Sequence, residues 1–237
     1  MREFVFSIHF ESGADRVMDA FMQAPRARSE AFLCSLDGEQ AWRLERVVGP
    51  SAALERIEDR LLAAGGESIS GRACDGERYV DLLDVGPGHR VVYTYLSDIT
   101  RCETVPRLAT RYLPGGVLFR LVRQESEQRW QLLMRDDEKV GLLYDALSAA
   151  LRDGLTFEFG HLDAASGWAA DMLSSLTIPP DQDEVLATAA EMGYYETPSE
   201  TTLDAVADRL DLPRSTVSYR LRRAEAQLVE YYLSETL

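Results

Sequence analysis

Lysine is almost missing from this chain: of its 25 basic residues only Lys139 is not an arginine, and 40 acidic residues bring the formal net charge to −15. A surface of that sign repels phosphate, which excludes a generally basic coat and leaves nucleic-acid contact only to a local patch. An acidic, lysine-poor surface also favours solubility in a cytosol rich in potassium salt, where a Debye length of about 3 Å limits each charge to its neighbours. Cysteine is scarce. Cys34, Cys74 and Cys102 lie far apart with no CxxC pair, so they read as small buried apolar residues in a reducing compartment, not as a disulfide or zinc framework. His9, His89 and His161 form no HxH or HxxxH spacing; no metal site and no cofactor is expected. No apolar run nears the roughly 20 residues that cross a bilayer, and the start, MREFVFSIHF, has no leader pattern, so a cytoplasmic protein with no membrane partner is expected. GxSxG and HExxH are absent, and Gly86-Pro87-Gly88 lacks the GK[ST] ending of a phosphate loop. An enzyme is not expected.

What is present is concentrated near the C-terminal end. In TLDAVADRLDLPRSTVSYRLRRA, residues 202–224, Thr202 stands where a side chain caps the first turn of a helix. Leu203, Val206, Ala207 and Leu210 form an inward stripe, and Ala207 is small enough for a second helix to cross closely. The turn spans Asp211 to Pro213. Asp211 occupies a position that needs left-handed backbone, which Asp tolerates at modest cost, and Pro213 suits a first helical turn. The second helix then buries Val217, Leu221 and Ala224. Arg214, Ser215, Ser218, Tyr219, Arg222 and Arg223 face outward, and between Pro213 and Arg223 there are four arginines and no acid. Such a face can hydrogen-bond base edges and phosphates from a major groove.

From Leu176 onward the chain resembles the bacterio-opsin-activator type of helix-turn-helix domain of haloarchaeal transcription regulators, and more distantly the sigma-region-4 type. The resemblance rests on Gly193-Tyr194-Tyr195, on Pro198, and on Ser215-Thr216-Val217-Ser218 leading into Leu221-Arg222-Arg223-Ala224-Glu225. It departs at Ser199, where the family often has Arg, at Asp211 for the turn Gly, and at Pro213 for a capping Ser. It implies a regulator of transcription that binds double-stranded DNA through Arg214, Ser215, Thr216, Ser218, Tyr219, Arg222 and Arg223.

The remainder reads as a duplication. Glu39-Gln40-x-Trp42-x-Leu44 recurs as Glu127-Gln128-x-Trp130-x-Leu132, and the same offset sets Phe4, Phe6 and Ile8 on Val92, Thr94 and Leu96. Each copy has the order strand, helix, strand, strand, helix, strand. The expected fold class is α+β: tandem ferredoxin-like (βαββαβ) repeats at 1–85 and 86–161, a connector at 162–176 carrying Trp168, and an all-α helix-turn-helix domain at 177–237. The last strand of the first copy is expected near Ser68 to Val80, with Gly86-Pro87-Gly88 as the linker between copies. Two such sheets leave faces without helices, which pair with each other, with a second subunit or with a ligand. A homodimer is expected because one reader touches few base pairs, and polar positions such as Ser7, His9, Tyr93 and Tyr95 are compatible with a small-molecule effector or with a sealed interface. The rival reading is a protein adaptor whose arginine face grips an acidic transcription component.

Overall fold

The computed structural model describes residues 1–35, 38–63, 68–72, 74–165 and 179–236. They fall into two compact units, Met1–Ser166 and Gly167–Leu237. The expected connector helix around Trp168 lies outside the described residues.

The first unit runs β1 (Arg2–Phe10), α1 (Arg16–Met22), β2 (Arg28–Ser35), β3 (Ala41–Val48), α2 (Ser51–Ala63), β4 (Glu77–Val85), then β5 (His89–Ser97), α3 (Val105–Tyr112), β6 (Leu118–Gln124), β7 (Glu127–Met134), α4 (Val140–Ala150) and β8 (Leu155–Ala164). The βαββαβ order therefore occurs twice. Local chemistry accounts for the helix starts: the Asp15 carboxylate accepts from the amides of Val17 and Met18 at 2.9 and 3.0 Å, and Thr104 Oγ1 accepts from the Arg107 amide, each satisfying donors that the first turn leaves over. Strand β4 begins only after Asp75-Gly76 and runs on to Val85, later than the alternation suggests.

The expectation of two separate sheets is corrected. All eight strands form one antiparallel sheet in the order β4-β5-β3-β2-β6-β7-β1-β8. Strand β1 lies between β7 and β8 of the second repeat, and β5 lies between β3 and β4 of the first. The first strands have changed places. The cause is the linker: Gly86, Pro87 and Gly88 join β4 to β5 as a hairpin, with Val85 opposite Arg90 and the Gly86 amide donating to the His89 carbonyl at 3.1 Å. A connection that short holds β5 beside β4, so β5 fills the first repeat's central position and β1 must fill the second's. Strands β2 and β6 then pair in the middle.

One face of the sheet carries Phe4, Phe6, Ile8, Phe119, Leu121, Trp130 and Leu132, and against it pack Leu54, Ile57 and Leu61 of α2 and Val140, Leu143 and Leu147 of α4, in a single buried cluster. Fully burying side chains of this kind contributes roughly 1.5–3 kcal/mol each. The duplicated Trp motif does not superimpose in space. Trp130 lies opposite Phe6 and Leu121 on the core face, whereas Trp42 lies opposite Cys34 and Tyr95 on the other face. The β2–β3 connection is longer than the two-residue β6–β7 turn, and a shift of one residue along a strand reverses every side chain.

One further expectation changes. Cys74 and Cys102 form a disulfide, leaving Cys34 free; their separation of 28 residues gave no spacing signal, and the loops that carry them meet only in the fold. Arg2 pairs with Asp137 at 2.8 Å.

In the second unit, α5 (Pro180–Glu191), α6 (Leu203–Leu210) and α7 (Arg214–Thr236) enclose Val185, Ala189, Val206, Ala207, Val217 and Leu221, with Tyr194, Leu203 and Leu210 packed alongside. No described helix is long and apolar enough to cross a membrane.

Candidate nucleic-acid interface

The turn between α6 and α7 sets the interface. Thr202 Oγ1 accepts from the Ala205 amide at 3.3 Å, opening α6. At its other end Asp211 adopts φ 51°, ψ 43°, and its amide donates to the carbonyls of Ala207 and Asp208. That left-handed residue reverses the chain within three positions. Pro213 precedes α7 and accepts at its carbonyl from the amides of Thr216 and Val217, at 2.9 and 3.1 Å; it caps the helix from outside where the first helical turn was expected to include it.

Val217, Leu221 and Ala224 are buried and hold α7 against α5 and α6. The opposite side of the same helix presents Arg214, Ser215, Ser218, Tyr219, Arg222 and Arg223, all exposed, with Thr216 half-buried at the margin. Tyr219 is 61% exposed. Arg223 Nη1 donates to the Tyr219 hydroxyl at 3.2 Å, and its guanidinium carbon lies 5.9 Å from the ring centroid. These two side chains form one flat, polar, cationic surface.

Sequence reasoning missed two parts of this arrangement. Arg214 Nε lies 2.9 Å from Asp204 Oδ1 on α6, so the leading arginine is tethered by a carboxylate one helix away. Arg220 Nε lies 3.2 Å from Asp181 Oδ2 on α5, which turns the second arginine of the run away from the outward face and into the packing of the domain. The helical phase carries that second signal, since Arg220 falls beside the buried Val217 and Leu221.

The Gly193-Tyr194-Tyr195 run braces the motif from outside. Gly193 has φ +76°, and a Cβ there would lie 2.8 Å from Glu200, so the turn after α5 needs glycine. Tyr194 packs on the core. Tyr195 donates its hydroxyl to Glu225 Oε1 on α7 at 2.8 Å; burial and that hydrogen-bonded carboxylate raise the phenol above its ordinary value. Ser199 Oγ donates to the carbonyl of Tyr194 at 3.1 Å.

With this geometry in view, the comparisons decide the family. Residues 3–168 match the model described as HVO_2928_N, N-terminal. The chain belongs to that family. Residues 178–230 match the HTH DNA binding domain family, in agreement with the bacterio-opsin-activator resemblance. Similar proteins include the transcriptional regulator NarO of Haloferax volcanii, 46% identical over 52 residues, which cover 22% of this chain and 25% of the relative. A putative transcriptional regulator of the same organism is 27% identical over 225 residues, covering 84% of this chain and 38% of the relative. The chain thus spans between a quarter and two-fifths of the length of these relatives.

Within one chain Ser7 and His9 lie far from Tyr95. Ser7 donates to Glu127 at 2.5 Å and His9 pairs with Glu158 at 2.8 Å, on β1. Tyr95 donates to Gln40 at 3.2 Å, on β5. Four strands separate β1 from β5 in the sheet, which at the usual strand spacing is about 24 Å. Among the described residues no cluster of His, Cys, Asp or Glu could hold a metal ion.

Proposed function

We propose that this protein regulates transcription by inserting α7 into the major groove of double-stranded DNA. The observation that carries the reading is the exposed face of Arg214, Ser215, Ser218, Tyr219, Arg222 and Arg223 on the second helix of a closely packed helix-turn-helix, to which that stretch of the helix itself contributes no acid. Residues near the start of such a helix meet base edges and later arginines meet phosphate. Arg214, Ser218, Tyr219 and Arg222 therefore read sequence, Ser215 and Thr216 support them, and Arg223, oriented by Tyr219, holds the backbone. Local charge is sufficient, because in molar salt the many distant carboxylates are screened.

The division at 1–85, 86–161, 162–176 and 177–237 separates two βαββαβ repeats and a connector from the reader. The repeats take a regulatory and dimerising role in this reading, in the cytoplasm and without enzymatic activity. A homodimer is supported by the far part of α7, where Val229 is 56%, Tyr232 65% and Leu233 45% exposed. Leu228 is exposed as well, so this end presents apolar surface that a second copy would cover.

The test is titration of a genomic promoter library with the full chain in molar KCl. Sequence-dependent binding that collapses when Arg214, Arg222 and Arg223 are changed to Ala supports the reading. Binding to proteins of the transcription machinery, with no sequence-dependent DNA binding, favours the adaptor.

A further inference from the structure

A cavity of about 40 Å³ lies within the first unit between the sheet and the start of α3. Both repeats line it: Leu33 and Arg43 come from β2 and β3, and Thr94 and Trp130 from β5 and β7. Its chemistry is uneven. Thr94 and Trp130 are each 3% exposed, and neither Thr94 Oγ1 nor Trp130 Nε1 has a hydrogen-bond partner in the protein. A buried polar group left without a hydrogen bond is costly, so packing alone does not account for two of them on one void. An indole N–H can only donate. The occupant must accept.

Leu33, Ile69 and Ile99 make much of the wall apolar, which suits a molecule with a hydrocarbon frame better than a full cluster of waters, each of which needs two to four polar partners. Charge selects further. Arg43 reaches the lining, but its Nε lies 3.2 Å from Glu45, a fully buried carboxylate that also pairs with Arg123. Moving an anion out of water into so apolar a space costs far more than moving an uncharged acceptor, and the Arg43 guanidinium is already engaged by Glu45. A single water needs about 10–15 Å³ on this scale, so the space holds about three waters or an organic molecule of about four or five heavy atoms.

We propose that this cavity is a binding site for a small uncharged molecule with one hydrogen-bond-accepting oxygen on a short apolar frame, in the class of ketones, aldehydes and esters. It deepens the regulatory reading of the first unit, since an occupant held by both repeats at once would couple them, but binding itself does not depend on that reading. The loops bearing Ile69 and Ile99 form part of the enclosure, fastened to each other by the Cys74–Cys102 disulfide and by the Ile69 amide donating to the Glu103 carbonyl at 2.8 Å.

The experiment uses the full chain with ¹⁵N-labelled tryptophan and 2-butanone as probe, following the indole N–H resonances, with Trp130 assigned by Trp130→Phe. The expected result is a saturable downfield shift of the Trp130 indole alone, no such shift with butyrate, and binding about 2- to 10-fold weaker in Thr94→Val, the range of one neutral hydrogen bond. A Trp130 resonance that does not respond, that responds equally to butyrate, or that drifts linearly with all the indoles as solvent changes, overturns the proposal. DNA titration with and without butanone tests regulation separately: saturable binding with unchanged DNA affinity leaves the site standing and removes its regulatory role.

Discussion

Asp204 holds Arg214 at 2.9 Å across the turn of the helix-turn-helix, placing a carboxylate beside the first arginine of the surface that would meet DNA. The pair is exposed on both sides, and such pairs contribute at most about 1 kcal/mol. Phosphate competes with the carboxylate for the same guanidinium. Asp204→Asn is therefore expected to tighten DNA binding about two- to fivefold with little loss of stability; fluorescence anisotropy on an operator fragment at fixed salt measures it, and weakened binding would place Asp204 in a positioning role.

Arg222 and Arg223 are neighbours with different expected work. Arg222→Ala should cost about 1–3 kcal/mol on the preferred site and relax sequence preference, as for a bidentate base contact. Arg223→Ala should weaken all sequences alike and lower the salt slope by about one unit. Selection from a randomised operator, with titrations across potassium chloride concentrations, separates the two; equal loss of selectivity in both variants would reject the division.

Asp211 sits in left-handed backbone at φ 51°, with its carboxylate at the C-terminal end of α6, where the helix dipole disfavours negative charge. Glycine relieves the steric cost of the Cβ while losing more chain entropy on folding. The balance predicts that Asp211→Gly stabilises the domain by about 0.5–1 kcal/mol. Thermal unfolding followed by circular dichroism reports it, and a lower midpoint would mean that the Asp side chain supports the turn in a way the backbone does not reveal.

Reduction should weaken the first unit. The Cys74–Cys102 bridge closes a loop of 28 residues, and loop-closure entropy for that length is about 3–4 kcal/mol. Calorimetry with and without reductant is expected to show a drop of about 6–15 °C in the midpoint of that unit, with no effect of reductant on the Cys74→Ala, Cys102→Ala double variant.

The neighbouring Asp75 ties the same loops electrostatically. Its carboxylate accepts from the Thr100 hydroxyl and from the amides of Arg101 at 2.9 Å and Thr100 at 3.0 Å, and these bonds, the hydroxyl first, hold its pKa well below the usual carboxylate range. A carboxyl depressed in the folded state contributes fully above its unfolded value of about 3.9 and loses that contribution as pH falls through the lower folded value. Amide exchange at Thr100 and Arg101 should thus stay protected at about pH 4 and open only on stronger acidification. In Asp75→Asn both amides should exchange faster with no acid step.

Much of the reader was legible because its constraints are local. Thr202, Asp211, Val217, Leu221 and Ala224 act within a few residues of their own backbone, and spacing alone places each of them. The sheet was legible only as an order of elements. Alternation in Phe4, Phe6, Ile8 and Phe10 says that β1 has one buried face, but β1 and β5 offer the same kind of face, and nothing within either strand names its neighbour. The length of the Gly86–Gly88 connection decides it, because it closes a hairpin and is no mere linker. Trp42 and Trp130 match in sequence yet oppose in space, since two connections of different length change the register by one. Asp204 and Asp181 could be assigned to Arg214 and Arg220 only once three helices were packed.

The exchange of β1 and β5 also bears on how the chain is made. Of the strands of this sheet, the one that leaves the ribosome before the others is the one whose neighbours, β7 and β8, are completed only at Ala164. At about 5–20 residues per second, translation leaves Phe4, Phe6, Ile8 and Phe10 without their partners for about 8–30 seconds. Throughout that interval the nascent chain presents an unpaired apolar strand, while the β4–β5 hairpin can already close with β3. Synthesis therefore passes through a half-built sheet that must be kept from other nascent chains, and the demand on the cell's chaperones falls before β8 emerges, at a stage that the finished protein no longer displays.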